Sequence, residues 1–198
     1  MTTIPGLTPT QTVGPFFLDC LLRPDMRRNV LRRPETEGSP IRIEGHLYDG
    51  DHAPVPDGMV EIWHADARGR YPDNAAWGLE PAGTGFIGFG RSGTDDTGLF
   101  WFETIKPGAV PFDRHTVPAR MQSPHIGVMI HARGLLNHVV TRLYFADEPA
   151  NLADPVLLRV PESRRDTLLA SPEPGTLPAL YRFDIVLQGA GETAFFNL

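Results

Sequence analysis

The chain has 198 residues with 24 acidic and 18 basic side chains, a formal net charge of −6 and a pI near 5.6. That balance argues against nucleic acid or an anionic membrane as the partner surface, and no apolar stretch nears the ~18 residues of a membrane-crossing helix. The one cysteine, Cys20, permits no disulfide within the chain, and the opening residues lack the charged-then-apolar order of a secretion signal, so a reducing, cytoplasmic setting is expected.

The length suits a single domain over 1–198, with 1–40 as an arm and interface segment and 41–198 as the sandwich. Twenty glycines and twenty prolines are scattered along it, which points to many short strands joined by turns. Residues 1–40 show no clean period. The run Thr8 to Leu18 is polar, then apolar, and is broken at Gly14-Pro15; it reads as an arm packed either on its own core or on another chain. Residues 41–49 alternate, with Ile41, Ile43, Gly45 and Leu47 against Arg42, Glu44, His46 and Tyr48, the mark of a half-buried strand. A turn over 49–58 comes next.

The next strand covers 59–65, with Val60, Ile62 and His64 on one side and Met59, Glu61, Trp63 and Ala65 on the other. Residues 68–71 turn, and Tyr71 there is a ligand, a substrate contact or, by default, a packing aromatic. A Gly- and Ala-rich loop is expected over 73–91, a turn over 94–98 and an aromatic strand over 99–104. A Pro-rich loop from Pro107 then feeds a hairpin of strands 124–133 and 138–145. A turn-rich loop over 147–155, one helix over 161–170 with Pro161 at its start, and a closing strand over 181–188 with Tyr181, Phe183, Ile185 and Leu187 on one face complete the chain. The fold class expected is all-β, a two-sheet sandwich with long loops, an N-terminal arm and one short helix.

On the strand 124–133, Ile126, Val128, Ile130 and Ala132 share an apolar face, and His125, Gly127, Met129, His131 and Arg133 share the other. Two histidines at i and i+2 on such a face could grip one metal ion. The position two after His125 is Gly127, and His131 lies roughly 20 Å along the strand at ~3.3 Å per residue. The pair is incomplete, and His125 by itself reads as a satisfied, partly buried histidine. Gly83-Thr-Gly-Phe-Ile-Gly88 lacks the strand-to-helix setting of a dinucleotide loop, and no nucleophile elbow or Ser/His/Asp set is evident.

Six segments in order carry a resemblance. They are Asp57-Gly-Met-Val-Glu-Ile-Trp-His-Ala-Asp-Ala-Arg-Gly-Arg-Tyr71, Gly88-Phe-Gly-Arg91 with Thr94-Asp-Asp-Thr-Gly98, Thr104-Ile-Lys-Pro-Gly108, Pro124-His-Ile126, Thr141-Arg-Leu-Tyr-Phe145 and Tyr181-Arg-Phe-Asp-Ile-Val-Leu187, with Thr12-Val-Gly-Pro-Phe-Phe17 ahead of them. Together they resemble the intradiol ring-cleaving dioxygenases, most closely the protocatechuate-cleaving members, over nearly the whole chain. The resemblance implies a non-haem ferric enzyme whose iron is held by two tyrosinates and two histidines, with an arginine beside it; hard phenolate donors suit a hard ferric ion.

The implied ligand positions here are Tyr71, Val110, His125 and Gly127, with Gln122 at the arginine position. Two of the four ligands are missing, and the arginine with them. The resemblance therefore implies an alpha subunit that binds no iron and supplies no catalytic residue, paired in a hetero-oligomer with a beta subunit that holds Fe(III). The holoenzyme would cleave 3,4-dihydroxybenzoate with O2 to 3-carboxy-cis,cis-muconate in aromatic catabolism, the beta-ketoadipate pathway. By resemblance the substrate contacts of this chain are Thr12, Gly14, Pro15 and Arg133; an arginine fork suits a carboxylate, and otherwise Arg133 is a surface ion pair. A homomeric enzyme with substituted ligands and a β-sandwich binding module without a part in catalysis are the other readings.

Overall fold

The computed structural model describes residues 10–14, 16–71, 86–112 and 120–197. Strands dominate because apolar and polar side chains alternate along them. β1 (Pro40–Tyr48) buries Ile41, Ile43, Gly45 and Leu47 and leaves their neighbours half-exposed, as its sequence dictates. β2 (Met59–Trp63), β3 (Phe89–Gly93), β4 (Leu99–Ile105), β5 (Val110–Pro111), β6 (Met121–Gln122), β7 (His125–His131), β8 (Val139–Phe145), β9 (Leu169–Glu173), β10 (Ala179–Arg182) and β11 (Ile185–Val186) succeed it. The helical pieces are short: α1 (Phe17–Leu21), α2 (Glu162–Arg165) and 3-10 turns at Pro149–Ala153, Leu157–Arg159 and Asp166–Leu168. No helix among the described residues is long and apolar enough to cross a membrane.

One layer is the antiparallel run β3–β2–β7–β8, and the other is β4 antiparallel to β1 with β10 and β11 parallel to it. Ile43, Phe102 and Tyr181 from the second layer meet Val60, Ile62, Ile126, Ile130 and Leu143 from the first in one buried core. The expected sandwich is present with one difference. β9 pairs through Leu169 and Ala170 with β8 and through Ser171–Glu173 with β10, so hydrogen bonding runs continuously from one layer into the other.

Four expectations are corrected. The helix expected over 161–170 ends early: α2 passes into the 3-10 turn, and Leu169 and Ala170 belong to β9. Thr167 Oγ1 donates to the Arg164 carbonyl at 2.7 Å and receives the Ala194 N–H at 3.0 Å, so the side chain competes with continued helix. The closing strand is split. A Cβ on Gly45 would lie 1.8 Å from the Phe183 carbonyl oxygen, so the two backbones are pinched there, and the His46 N–H bonds the Asp184 carboxylate at 2.8 Å instead of a neighbouring carbonyl. The loop expected over 73–91 contains β3; its stretch 73–85 lies outside the described residues. The arm carries a helix, α1, because Phe17 and Leu22 bury against Met59.

Candidate functional site

β7 carries a distinct locus at each end. At its start, His125 is 6% exposed, and its Nδ1 lies 2.7 Å from the Ser123 carbonyl. A carbonyl only accepts, so Nδ1 carries the proton and Nε2 is the lone-pair nitrogen. Burial is the largest of the influences that push this imidazole down to about 4, and the Arg142 charge adds to it. Two residues on, Gly127 pairs with Arg142 of β8 on one side and Trp63 of β2 on the other. A Cβ there would meet only the Trp63 carbonyl, at 3.3 Å.

Tyr71 comes directly after the 66–70 turn. That turn is tied by Asp66, whose carboxylate accepts from the Arg68 and Arg70 backbone and the Arg70 guanidinium. The Tyr71 ring stacks on Trp63 at 5.9 Å and 11°. Burial pushes its phenol up, against the pull of Arg142. Val110, 5% exposed, pairs with Gln122 in the small β5–β6 ribbon.

Arg142 lies among these groups. Its Nη1 donates to Gln122 Oε1 at 2.8 Å and reaches the Tyr144 hydroxyl at 3.4 Å. Tyr144 donates to Asp154 Oδ1 at 3.2 Å, and burial raises its phenol well above the usual range. Asp154 is fully buried and also accepts the N–H groups of Ser123, Val156 and Leu157 at 2.7–2.8 Å. Sequence reading passed over both Arg142 and Asp154. An Asp just before a proline, with free N–H groups two and three residues on, is a local signal for the second.

A ferric ion does not fit this donor set. Tyr71 and His125 offer one phenol and one imidazole, Val110 and Gly127 offer no side-chain donor, and Arg142 brings a positive charge into their midst. Among the described residues no group of three or more His, Cys, Asp or Glu is arranged to hold a metal. His64, though wholly buried, is spoken for: its Nδ1 lies 2.8 Å from the Ala65 carbonyl and its Nε2 2.9 Å from Thr104 Oγ1.

The other end of β7 holds the substrate-contact candidates. Arg133, its side chain 64% exposed, forms an ion pair with Asp57 through Nε. The next residue, Gly134, donates its N–H to Thr12 Oγ1 at 2.9 Å. The structure therefore brings Thr12 and Arg133 to one edge, where Gly14 is exposed with open space around it; Pro15 lies outside the described residues. A cavity of about 180 Å³, lined by Gln11, Val13, His131 and His138 among others, lies beside the same arm.

A family model described as "Dioxygenase" matches residues 13–189. The chain is 40% identical to the protocatechuate 3,4-dioxygenase alpha chain of Burkholderia cepacia over 96% of its own length and 97% of that protein. It is 34% identical to the protocatechuate 3,4-dioxygenase beta chain of the same organism, over 85% of this chain and 73% of that one. Among solved structures, the dioxygenase domain of a dioxygenase carbohydrate-binding protein fusion from Streptomyces sp. SirexAA-E is similar at 27% identity, with a TM-score of 0.62 over 92% of this chain and 100% of that one.

Proposed function

The chain belongs to the dioxygenase family, of the intradiol ring-cleaving type, and from that premise we propose that it works as an alpha subunit of a protocatechuate 3,4-dioxygenase. The observation that carries this is the donor set at the start of β7: one phenol, one imidazole, two positions without a ligand, and a guanidinium beside them. Such a chain serves the reaction by what it presents to a ligand-bearing beta partner. Ferric iron held by that partner would supply the chemistry that makes a catecholate reactive toward O2, for ring cleavage between its two hydroxyl-bearing carbons. The product from 3,4-dihydroxybenzoate is 3-carboxy-cis,cis-muconate.

Residues of this chain would act by binding and positioning. On this reading residues 1–40 would serve as the arm and interface segment of a single domain, and Thr12, Gly14, Pro15 and Arg133 would complete the partner's pocket. Gly14 lets backbone approach a flat ring, and Pro15 fixes the chain direction next to it. The Arg133 fork matches the substrate's carboxylate. The Thr12–Arg133 edge is far from the Tyr71–His125 locus, so it does not depend on a metal in this chain.

The test is co-expression with a ligand-complete beta chain, then iron assay and turnover of 3,4-dihydroxybenzoate. The complex is expected to contain iron and to be active, whereas this chain purified alone is expected to lack the purple-red colour of tyrosinate-to-iron charge transfer. Stoichiometric tight ferric binding by the isolated chain would falsify the reading. A complex that forms but has the activity of the beta chain alone would favour the binding-module reading instead.

A further inference from the structure

We propose that Arg142 is a built-in cation that closes the family's metal site in this chain: it ties together the strands around the ligand positions and keeps metal cations out. This rests on the family membership stated above, which is what marks positions 71, 110, 122, 125 and 127 as belonging to one site. Restoring the missing ligands is then insufficient to restore metal binding while Arg142 remains.

Three observations carry it. The first is register. Arg142 on β8 stands directly opposite Gly127 on β7. Side chains in directly opposite positions of an antiparallel pair are neighbours, and Gly127 has none, so the arginine meets no competitor from the facing strand. A Cβ at 127 would meet one atom, the Trp63 carbonyl oxygen, at a tight 3.3 Å, so a side chain there asks for a small backbone shift but is not forbidden.

The second is the hydrogen-bond circuit. Arg142 Nη1 donates to Gln122 Oε1, approaches the Tyr144 hydroxyl, and Tyr144 donates to Asp154, which in turn holds the N–H of Ser123. Ser123 is the residue after Gln122 in the chain, so the circuit closes on itself. It links β6, β8 and the segment after Pro149–Ala153. The acceptor at 122 is an amide oxygen, whereas an arginine there would offer only donors to a second guanidinium. The glutamine at 122 and the arginine at 142 are thus chemically matched to each other.

The third is charge. Both acceptors of the Arg142 guanidinium are neutral, and among the described residues no carboxylate lies within ion-pair distance of it. A metal cation placed among Tyr71, His125 and Gly127 would face a positive charge with no direct ion-pair partner, its nearest carboxylate in the circuit, Asp154, standing behind the Tyr144 hydroxyl, in a partly buried place where repulsion is weakly screened.

The test compares three versions of the full chain, each co-expressed with a ligand-complete beta chain: wild type, Val110→Tyr/Gly127→His, and the same pair with Arg142→Gln. Iron per alpha/beta pair is measured by mass spectrometry and the charge-transfer band by absorption. The double variant is expected to hold no more iron than wild type, and the triple variant to gain up to one further equivalent. Equal loading of the double and triple variants, or no gain in the triple, overturns the proposal. A wild-type complex without iron would instead count against the alpha-subunit reading, so the two failures are distinct.

Should the Tyr and His replacements fail to fold, Arg142→His exchanges the cation for a donor in one step. Cobalt(II) titrated into that variant in the absence of iron is expected to bind at least tenfold more tightly than to wild type, with a d–d absorption band; no difference from wild type overturns the proposal. The clamping role is read separately: Arg142→Ala should lower the thermal midpoint of the complex and Arg142→Lys should recover part of it, while unchanged midpoints in both would remove that half of the proposal.

Discussion

Replacing Arg133 by alanine in the assembled complex should raise KM for 3,4-dihydroxybenzoate far more than it destabilises the fold. The contribution of this side chain to folding is small. Its side chain is 64% exposed, and its ion-pair partner among the described residues is Asp57; exposed pairs of this kind contribute roughly 0–1 kcal/mol. Its role toward an anionic substrate would be larger, since loss of a charge-assisted hydrogen bond costs roughly 1.5–3 kcal/mol, on the order of 10- to 150-fold in affinity. The assay is kcat/KM for 3,4-dihydroxybenzoate and for catechol, which lacks the carboxylate, at two salt concentrations, with urea unfolding of each variant alongside. Arg133→Lys should recover charge but not the two-pronged geometry. Asp57→Asn supplies the control, because it removes the ion pair and leaves the guanidinium in place; KM should stay near wild type or fall. Equal losses for both substrates, or no loss for either, would return Arg133 to the role of a surface ion pair and refute the substrate-contact reasoning.

His64 and His125 both have pKa values pushed down to about 4, chiefly by burial, against an ordinary value of 6.5. The unfolded chain therefore takes up protons first as pH falls, so stability should be full above about pH 7 and drain away from about 6.5 towards 4, by on the order of a few kcal/mol in all; a urea midpoint that is flat between about pH 7.5 and 5 would count against this. Gly45→Ala should cost at least ~1–3 kcal/mol or abolish folding, because its Cβ would lie 1.8 Å from the Phe183 carbonyl oxygen and 2.8 Å from the Phe100 ring; soluble yield and urea unfolding measure it. Deleting residues 1–15 should weaken assembly or turnover of the complex much more than the folding of this chain, since α1 and its packing on Met59 remain; sedimentation and activity of the truncated complex decide it, and normal values for both would reduce the arm to a tucked tail.

The strands were legible where one face is buried and the other is not. Ile41, Ile43 and Leu47 announce β1, and Ile126, Val128 and Ile130 announce β7, because a period of two survives in the sequence whatever the strand pairs with. β3 was hidden in a loop because Phe89-Gly-Arg-Ser-Gly93 has two glycines and no apolar alternation; its place depends on pairing with β2. β9 was hidden by Pro172 and by the helical look of the residues before it. The break between β10 and β11 arises from the contact of Gly45 with Phe183, residues far apart in the chain, and no local pattern carries that.

The site divides along the same line. That Gly127 cannot be a ligand is a property of one residue and could be read directly. That Arg142 lies opposite it depends on strand register, and its acceptor, Gln122, comes from a third element. Arg133 and His125 are separated by the whole of β7, whose ends are roughly 20 Å apart at ~3.3 Å per residue, and the strand between them is buried on its core face. A change of ligands at one end can therefore be absorbed locally by Gln122, Arg142 and Tyr144 without moving the Thr12–Gly134 contact at the other. On the proposed reading, that separation is the physical condition under which a chain of this family could lack its own metal and still present an intact edge to a partner that has one.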